Sequence, residues 1–340
     1  MKIAFFEADA REEKYFRDNL KLGGKHKMVF YRKELDEVGN GGIGKIKDAE
    51  ILIVFIHSPV NKEFLGEMPK LKYIATMSTG FDHIDMTECK YRGIEVSNVP
   101  FYGENTVAEH AFGLILTLSR KLYWAIERTK RDDFSLKGLE GFDLKGRTLG
   151  VIGAGHIGQH VIRMAHGFDM NVIAYSHKVD KKLGGKMGFR FVSLNELLKK
   201  SDVITLHAPL NEQTKHMINM KNIKLLKHGA YLINTARGGL VETKALAYAL
   251  DRGILAGAGL DVLEGEDDMV EEGTLLRNKK KVNDEEWKTF LMNHEMLKDK
   301  NVIVTPHIAF YTKEAVERIL DTTIGNIKGF LKGKVVNRVE

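Results

Sequence analysis

The sequence predicts an α/β protein of two domains with largely parallel sheets. Three observations carry that expectation. Short apolar runs alternate with amphipathic stretches along most of the chain, the pattern of strands joined by crossover helices. At 340 residues the chain exceeds one ordinary domain. Near its middle, at 148–158, a strand-like run enters a glycine-punctuated turn that opens a helical stretch.

Strands are predicted at residues 3–6, 51–56, 73–75, 148–152, 172–175, 203–206, 231–234 and 302–304. Helical stretches follow at 194–200 and 242–252, the latter with Gly253 as its stop. Residues 104–131 predict one long helix. Gly113 is its main breaker, and Val107, Ala111, Leu114, Ile115, Leu118 and Leu122 keep helical spacing. Such a helix bridges domains or packs on a second subunit. Residues 267–300 form a charged excursion: Asp267, Asp268, Glu271 and Glu272, then Lys279, Lys280 and Lys281, then a helix from 284 to 297. It reads as a covering loop or an interface element.

Composition excludes several classes. Hydrophobic content of 43% with 29% charged residues fits a globular protein with real cores. No apolar run approaches a membrane span. The start, MKIAFFEADAREEK, reads as a first strand rather than a secretion signal. The single Cys89 excludes an internal disulfide and a cysteine-based metal cluster, so no metal site is predicted and a reducing, cytoplasmic setting is expected. A net charge of +6, spread among acidic neighbours, points to solvated helix faces and anionic small molecules rather than nucleic acid or membrane.

The turn TLGVIGAGHIG places Gly153, Gly155, His156, Ile157 and Gly158 between strand and helix. Glycines there allow a tight turn, approach of a pyrophosphate to backbone N–H groups, and close packing of helix on strand. The helix N-terminus adds partial positive charge. A Rossmann-like dinucleotide site is therefore predicted. Some 20 residues on, a carboxylate would bind the adenosine ribose; this chain has Ser176, His177 and Lys178 instead. Those residues suit a ribose 2′-phosphate, or are ordinary loop residues beside bound NAD. Both NAD and NADP stay open.

Reduction of a 2-oxo acid needs a rigid cation for the carboxylate, for which a guanidinium is best. It also needs a proton donor at the carbonyl oxygen, and a histidine in that role gains from a carboxylate that orients it. Arg237, Glu266 and His307 all follow strand-like runs (YLINTAR, AGAGLDVLEG and NVIVTP), where ligands of parallel sheets bind. Each alone reads better as an ordinary surface or loop residue.

Seven ordered motifs change that weighting: STGFDHID (78–85), NVPFYGENTVAEHA (98–111), GVIGAGHIGQ (150–159), LHAP (206–209), LINTARGGLVE (232–242), GLDVLEGE (259–266) and TPHIAFYT (305–312). Together they resemble the D-2-hydroxyacid dehydrogenase family over nearly the whole chain. The resemblance implies a catalytic set of Arg237, Glu266 and His307. It also implies two Rossmann-like or flavodoxin-like α/β domains with a cleft between them. Residues 1–101 with 305–340 would carry substrate elements and 102–304 would bind NAD(P). It implies substrate contacts from Thr79, Gly80, Tyr102 and Phe310. Cofactor contacts would extend to His207, Ala208, Pro209, Thr214, Thr235, Ala236 and Asp261. The helix beginning near Glu104 would pack in a homodimer.

TPHIAFYT and the 267–300 excursion resemble the D-lactate dehydrogenase branch, so pyruvate and D-lactate are the favoured pair. A bulkier 2-oxo acid is the second reading. A dinucleotide-sensing interaction protein, like the corepressors that share this fold, is a third.

Overall fold

The computed structural model describes residues 1–24, 26–35, 44–266 and 283–339. The charged stretch at 267–282 lies outside them. The chain divides into two compact units, one of Met1–Tyr102 with Thr312–Glu340, the other of Gly103–Tyr311.

The first unit holds a five-stranded parallel sheet: β1 (Lys2–Phe5), β2 (Lys27–Phe30), β3 (Ile51–Val54), β4 (Tyr73–Thr76) and β5 (Glu95–Ser97), in the order β2-β1-β3-β4-β5. ILIV and YIAT are buried on both faces, as central parallel strands require. Helix α1 (Ala10–Leu20) starts at an Asp9–Glu12 capping box. Helices α2 (Lys62–Glu67) and α3 (Met86–Arg92) follow β3 and β4. The closing residues return to this sheet, and Phe330 stacks on Tyr73 with ring centroids 4.3 Å apart.

The second unit begins with α4 (Glu104–Ser119) and α5 (Leu122–Thr129). The single helix predicted over 104–131 is broken here, with Lys121 left-handed at φ 54. The cause is local. A continuing helix would give the Ser119 carbonyl to residue 123, but Phe142 N takes it at 2.8 Å. Gly141 permits this approach, because a Cβ there would stand 2.1 Å from Ser119 O.

Beyond lies a seven-stranded parallel sheet. Its strands are β6 (Thr148–Ile152), β7 (Asn171–Tyr175), β8 (Arg190–Phe191), β9 (Val203–Leu206), β10 (Ala230–Asn234), β11 (Leu255–Leu260) and β12 (Val302–Val304), in the order β12-β11-β10-β9-β6-β7-β8. Successive residues alternate faces. Val151, Val203 and Ile233 pack with α4 and with α6 (His156–Gly167). Ile152, Ile204 and Leu232 pack with α8 (Leu194–Lys200), which follows the short α7 (Lys181–Met187), and with α9 (Thr243–Asp251) and Met296 of α10 (Asp284–Lys298). Helix α11 (Lys313–Leu331) belongs to the first unit.

The chain leaves the second unit at 311/312, seven residues later than the motif reading put it. Hydrogen bonds explain the difference. Thr305 N donates to Leu260 O, His307 N to Asp261 O, and Ile308 N and Ala309 N to the Asp261 carboxylate. These fasten the TPHIAF segment to the end of β11.

Candidate active site

In the second sheet β6 is flanked by β7 on one side and β9 on the other. Chain order reverses there, which opens a ligand crevice at the carboxyl ends of the strands. Gly153 leaves β6 at φ 97, and a Cβ on it would stand 2.5 Å from His207 O. A Cβ on Gly158 would stand 2.0 Å from Gly153 O, so α6 presses directly on the turn. A Cβ on Gly155, by contrast, would meet nothing within 4 Å. Gly155 is also the N-cap of α6, with no side chain capping the helix and no acidic residue in its first turn.

Two buried polar atoms near this crevice have no partner: His207 Nδ1 and Thr235 Oγ1. His207 Nε2 lies 2.8 Å from Thr205 Oγ1. Burial pushes the His207 pKa down to about 3, so the ring is neutral. A glycine cradle open on one side, an uncapped helix end and unpartnered buried donors and acceptors fit a dinucleotide pyrophosphate and its attached rings. His156 and Ile157 form the first turn of α6. Ala208 and Pro209 continue from β9, and Thr214 Oγ1 closes that loop by donating to Pro209 O at 2.6 Å. Ala236 N is held by Asn234 Oδ1.

At the end of β7, Ser176 is half-buried while His177 and Lys178 are exposed. The nearest following carboxylate, Asp180, is engaged by Lys182 N and Leu183 N at 2.9 and 3.1 Å as the cap of α7.

The three catalytic candidates sit at the ends of neighbouring strands β10, β11 and β12. Glu266 Oε1 lies 2.7 Å from His307 Nδ1, and Glu266 Oε2 accepts from Leu263 N at 2.9 Å. Both carboxylate oxygens are thus held, and the imidazole is oriented through one nitrogen. His307 is left-handed at φ 53, which costs a non-glycine residue about 1–3 kcal/mol. Arg237 is extended, its Nη1 donating to Ala236 O at 2.8 Å. A Cβ on the next residue, Gly238, would stand 2.1 Å from Leu263 C and O. The turn carrying Arg237 therefore rests directly on the loop carrying Glu266.

Asp261 was expected among the cofactor contacts. Its buried carboxylate is already occupied by Thr305 Oγ1, Ile308 N and Ala309 N, so its visible work is on the His307 turn. Sequence reasoning passed over Glu264, two residues before Glu266. Its carboxylate accepts from Thr243 N and Oγ1 at 3.0 and 2.8 Å and pairs with His216 Nε2. Burial opposes its ionisation, but these bonds outweigh it and hold the pKa below the usual range. Asn293 of α10 donates to Glu264 O at 2.8 Å.

The remaining substrate candidates divide between the units. Thr79 and Gly80 follow β4 in the first. There the Thr79 hydroxyl donates to Val99 O, Asn98 Nδ2 donates to Thr79 O, and Ser78 Oγ donates to Gly80 O. The Thr79 side chain is thereby turned to structure, and the backbone carries what recognition it offers. Tyr102 O accepts from Arg318 Nε at 2.6 Å. Phe310 belongs to the second unit and packs edge-on against Tyr311. The sequence also gave no hint of Glu7 at the end of β1. Left-handed at φ 56, it accepts from Phe55 N and His57 N, and burial raises its pKa.

A nucleotide cradle at the switch point of a parallel sheet, with a carboxylate-oriented histidine at neighbouring strand ends, defines a dehydrogenase that works with a nicotinamide dinucleotide. The pattern of the D-isomer specific 2-hydroxyacid dehydrogenase NAD-binding domain matches residues 112–309. The 2-hydroxyacid dehydrogenase homolog of Zymomonas mobilis is 36% identical over 98% of each chain. An aromatic 2-oxoacid reductase of Clostridium sporogenes is 39% identical over 82% of each. Among solved structures, D-lactate dehydrogenase from Aquifex aeolicus, complexed with NAD and lactic acid, superposes with a TM-score of 0.86 at 39% identity, covering 97% of this chain and 96% of that one. The chain belongs to the D-2-hydroxyacid dehydrogenase family and acts on the CH–OH group of its donors.

Proposed function

We propose that this enzyme reduces a small 2-oxo acid, pyruvate foremost, to the (R)-2-hydroxy acid, with Arg237, Glu266 and His307 as its catalytic set. The observation that carries the reading is the 2.7 Å Glu266–His307 pair at the strand ends. A bound nicotinamide supplies the hydride that reaches substrate C2. Arg237 clamps the substrate carboxylate, since a planar guanidinium binds it through two parallel hydrogen bonds. Phe310 lines the side-chain pocket, and Thr79, Gly80 and Tyr102 are assigned as further substrate contacts. His307 gives a proton from Nε2 to the carbonyl oxygen in reduction and takes it back in oxidation. Glu266, engaging Nδ1, fixes the ring and stabilises the imidazolium. Gly153, Gly155 and Gly158 admit the cofactor, and His207 and Thr235 offer it their unpartnered polar atoms.

The cofactor is NADPH at least as readily as NADH. Ser176, His177 and Lys178 bring no carboxylate against a 2′-phosphate, and Asp180 is engaged in capping α7. The enzyme works as a homodimer. Leu122, Tyr123 and Ile126 of α5, with Phe134 and Leu136, are exposed apolar side chains of the kind that subunit contact covers. A bulkier, aromatic 2-oxo acid is the second reading, favoured by the 39% identity to the aromatic 2-oxoacid reductase.

The test is steady-state reduction of pyruvate, 2-oxo-4-methylpentanoate, phenylpyruvate and glyoxylate with NADH and NADPH separately. Highest kcat/KM on pyruvate supports the leading reading; highest on phenylpyruvate replaces it with the second. Absence of turnover on all four overturns both.

A further inference from the structure

A second histidine stands behind the His307 turn, on α4. His110 Nε2 is 3.0 Å from Thr305 Oγ1 and 3.4 Å from Asp261 Oδ1. A threonine hydroxyl has one proton to give. Here it goes to Asp261 Oδ1, so Thr305 Oγ1 can only accept from His110, and His110 must carry a proton on Nε2. The result is a directional chain: His110 Nε2–H to Thr305 Oγ1–H to the Asp261 carboxylate. That carboxylate then accepts Ile308 N at Oδ1 (3.0 Å) and Ala309 N at Oδ2 (2.7 Å). Those amides directly follow the left-handed His307, whose own N–H donates to Asp261 O at 2.9 Å.

The surroundings favour a specific task over general packing. Val107, Ala108, Ala111, Phe112, Leu114 and Ile115 of the same helix are buried and apolar. His110, 23% exposed, reaches inward from the edge of that face, and the Asp261 side chain it meets is fully buried. A carboxylate accepting this many donors is fixed in rotation, and so is the turn it grips.

We propose that His110 is a positioning residue for the reaction: acting through Thr305, it locks the Asp261 carboxylate that clamps the His307 turn. The inference rests on the reading of His307 as the proton-transfer residue, and its test separates the two.

The variants are Thr305→Val, which keeps shape and removes the hydroxyl, Thr305→Ser, which restores it, His110→Phe, and the double variant His110→Phe/Thr305→Val. Each is measured in the full-length protein for kcat, KM and cofactor Kd. The His307 ring resonance is followed by NMR with labelled histidine, assigned through His307→Gln. Thr305→Val should lower kcat about 10- to 100-fold while cofactor Kd moves less than about threefold. Thr305→Ser should recover most of that loss. His110→Phe should fall into the same range, and the double variant should be no worse than the poorer single, because both remove one chain of contacts. The His307 resonance should shift in Thr305→Val and His110→Phe and return in Thr305→Ser.

An unmoved His307 resonance in both Thr305→Val and His110→Phe would overturn the proposal. So would losses that multiply in the double variant, or cofactor binding that weakens in step with kcat. Should the wild type reduce no 2-oxo acid, the assigned reaction fails, and the resonance alone decides whether the chain holds His307.

Discussion

The two ends of the nucleotide-binding unit are built on opposite principles. At the catalytic end nearly every polar side chain is engaged by another: Glu266 by His307 and Leu263 N, Glu264 by His216 and Thr243, Asp261 by three donors. At the adenosine end, His177 and Lys178 stand exposed in a short loop. Proton and hydride transfer fail when atoms stray by an ångström, so the first end needs rigidity. Recognition of a ribose or its phosphate needs a charge of the right sign within reach, which loose residues supply. Substitutions at the first end should therefore damage the rate, and at the second redirect cofactor choice.

The largest effect belongs to His307. His307→Gln should lower kcat by about 10²- to 10⁴-fold with cofactor binding retained, measured by steady-state kinetics beside cofactor fluorescence titration. A loss under tenfold would remove the histidine from proton transfer. Next comes Arg237→Lys, which keeps the charge but loses the planar fork. kcat/KM for the 2-oxo acid should fall about 30- to 1,000-fold, and near-normal kcat/KM would rule out the carboxylate clamp.

Ser176→Asp tests the other end. A carboxylate there repels a 2′-phosphate and binds a free 2′-hydroxyl, so NADPH should lose about 30-fold in kcat/KM while NADH holds or improves. Both cofactors must be compared at one ionic strength, since salt screens the contact. A wild type that already prefers NADH a hundredfold contradicts the loop reading.

The smallest effect concerns stability. His207 is held neutral with a pKa near 3, far below the ordinary histidine value of 6.5. In the unfolded chain it takes up a proton below pH 6.5, and in the folded protein it does not. Its contribution is thus fully present above about pH 6.5 and drains away as pH falls toward 3. His207→Asn should flatten the decline of Tm between about pH 6.5 and 4.5. Parallel Tm profiles for variant and wild type would contradict the neutral ring.

The sequence made much of the catalytic end readable because strand ends and glycine turns leave short local signatures. NTARG, LDVLEGE and TPH marked Arg237, Glu266 and His307 as candidates, which the structure places at the ends of neighbouring strands, and the glycine spacing marked the turn after β6. What escaped depends on distant partners. Glu264 and Glu266 are the same residue type two positions apart, and only the meeting with His216 and Thr243 on one side, and His307 on the other, separates them. The break after Ser119 was equally hidden, since an amide more than twenty residues away captures its carbonyl. Strands β2, β5 and β8 were missed because KMVF, EVS and RF are too short or too polar at their ends to stand out, and β11 has no range among the predicted strands because the glycines of LAGAGL interrupt its apolar run.

The division of the chain also sets an order of assembly during synthesis. Residues 103–311 are contiguous, so that unit has all its strands once residue 311 has emerged. The first unit is made in two instalments, and the rings of Tyr73 and Phe330 that stack within it are separated by the entire second unit. Its sheet must wait uncovered on that side while its neighbour is translated. The half-built first unit is therefore the species on which a chaperone would act, and its waiting time lengthens with every residue added to the insertion.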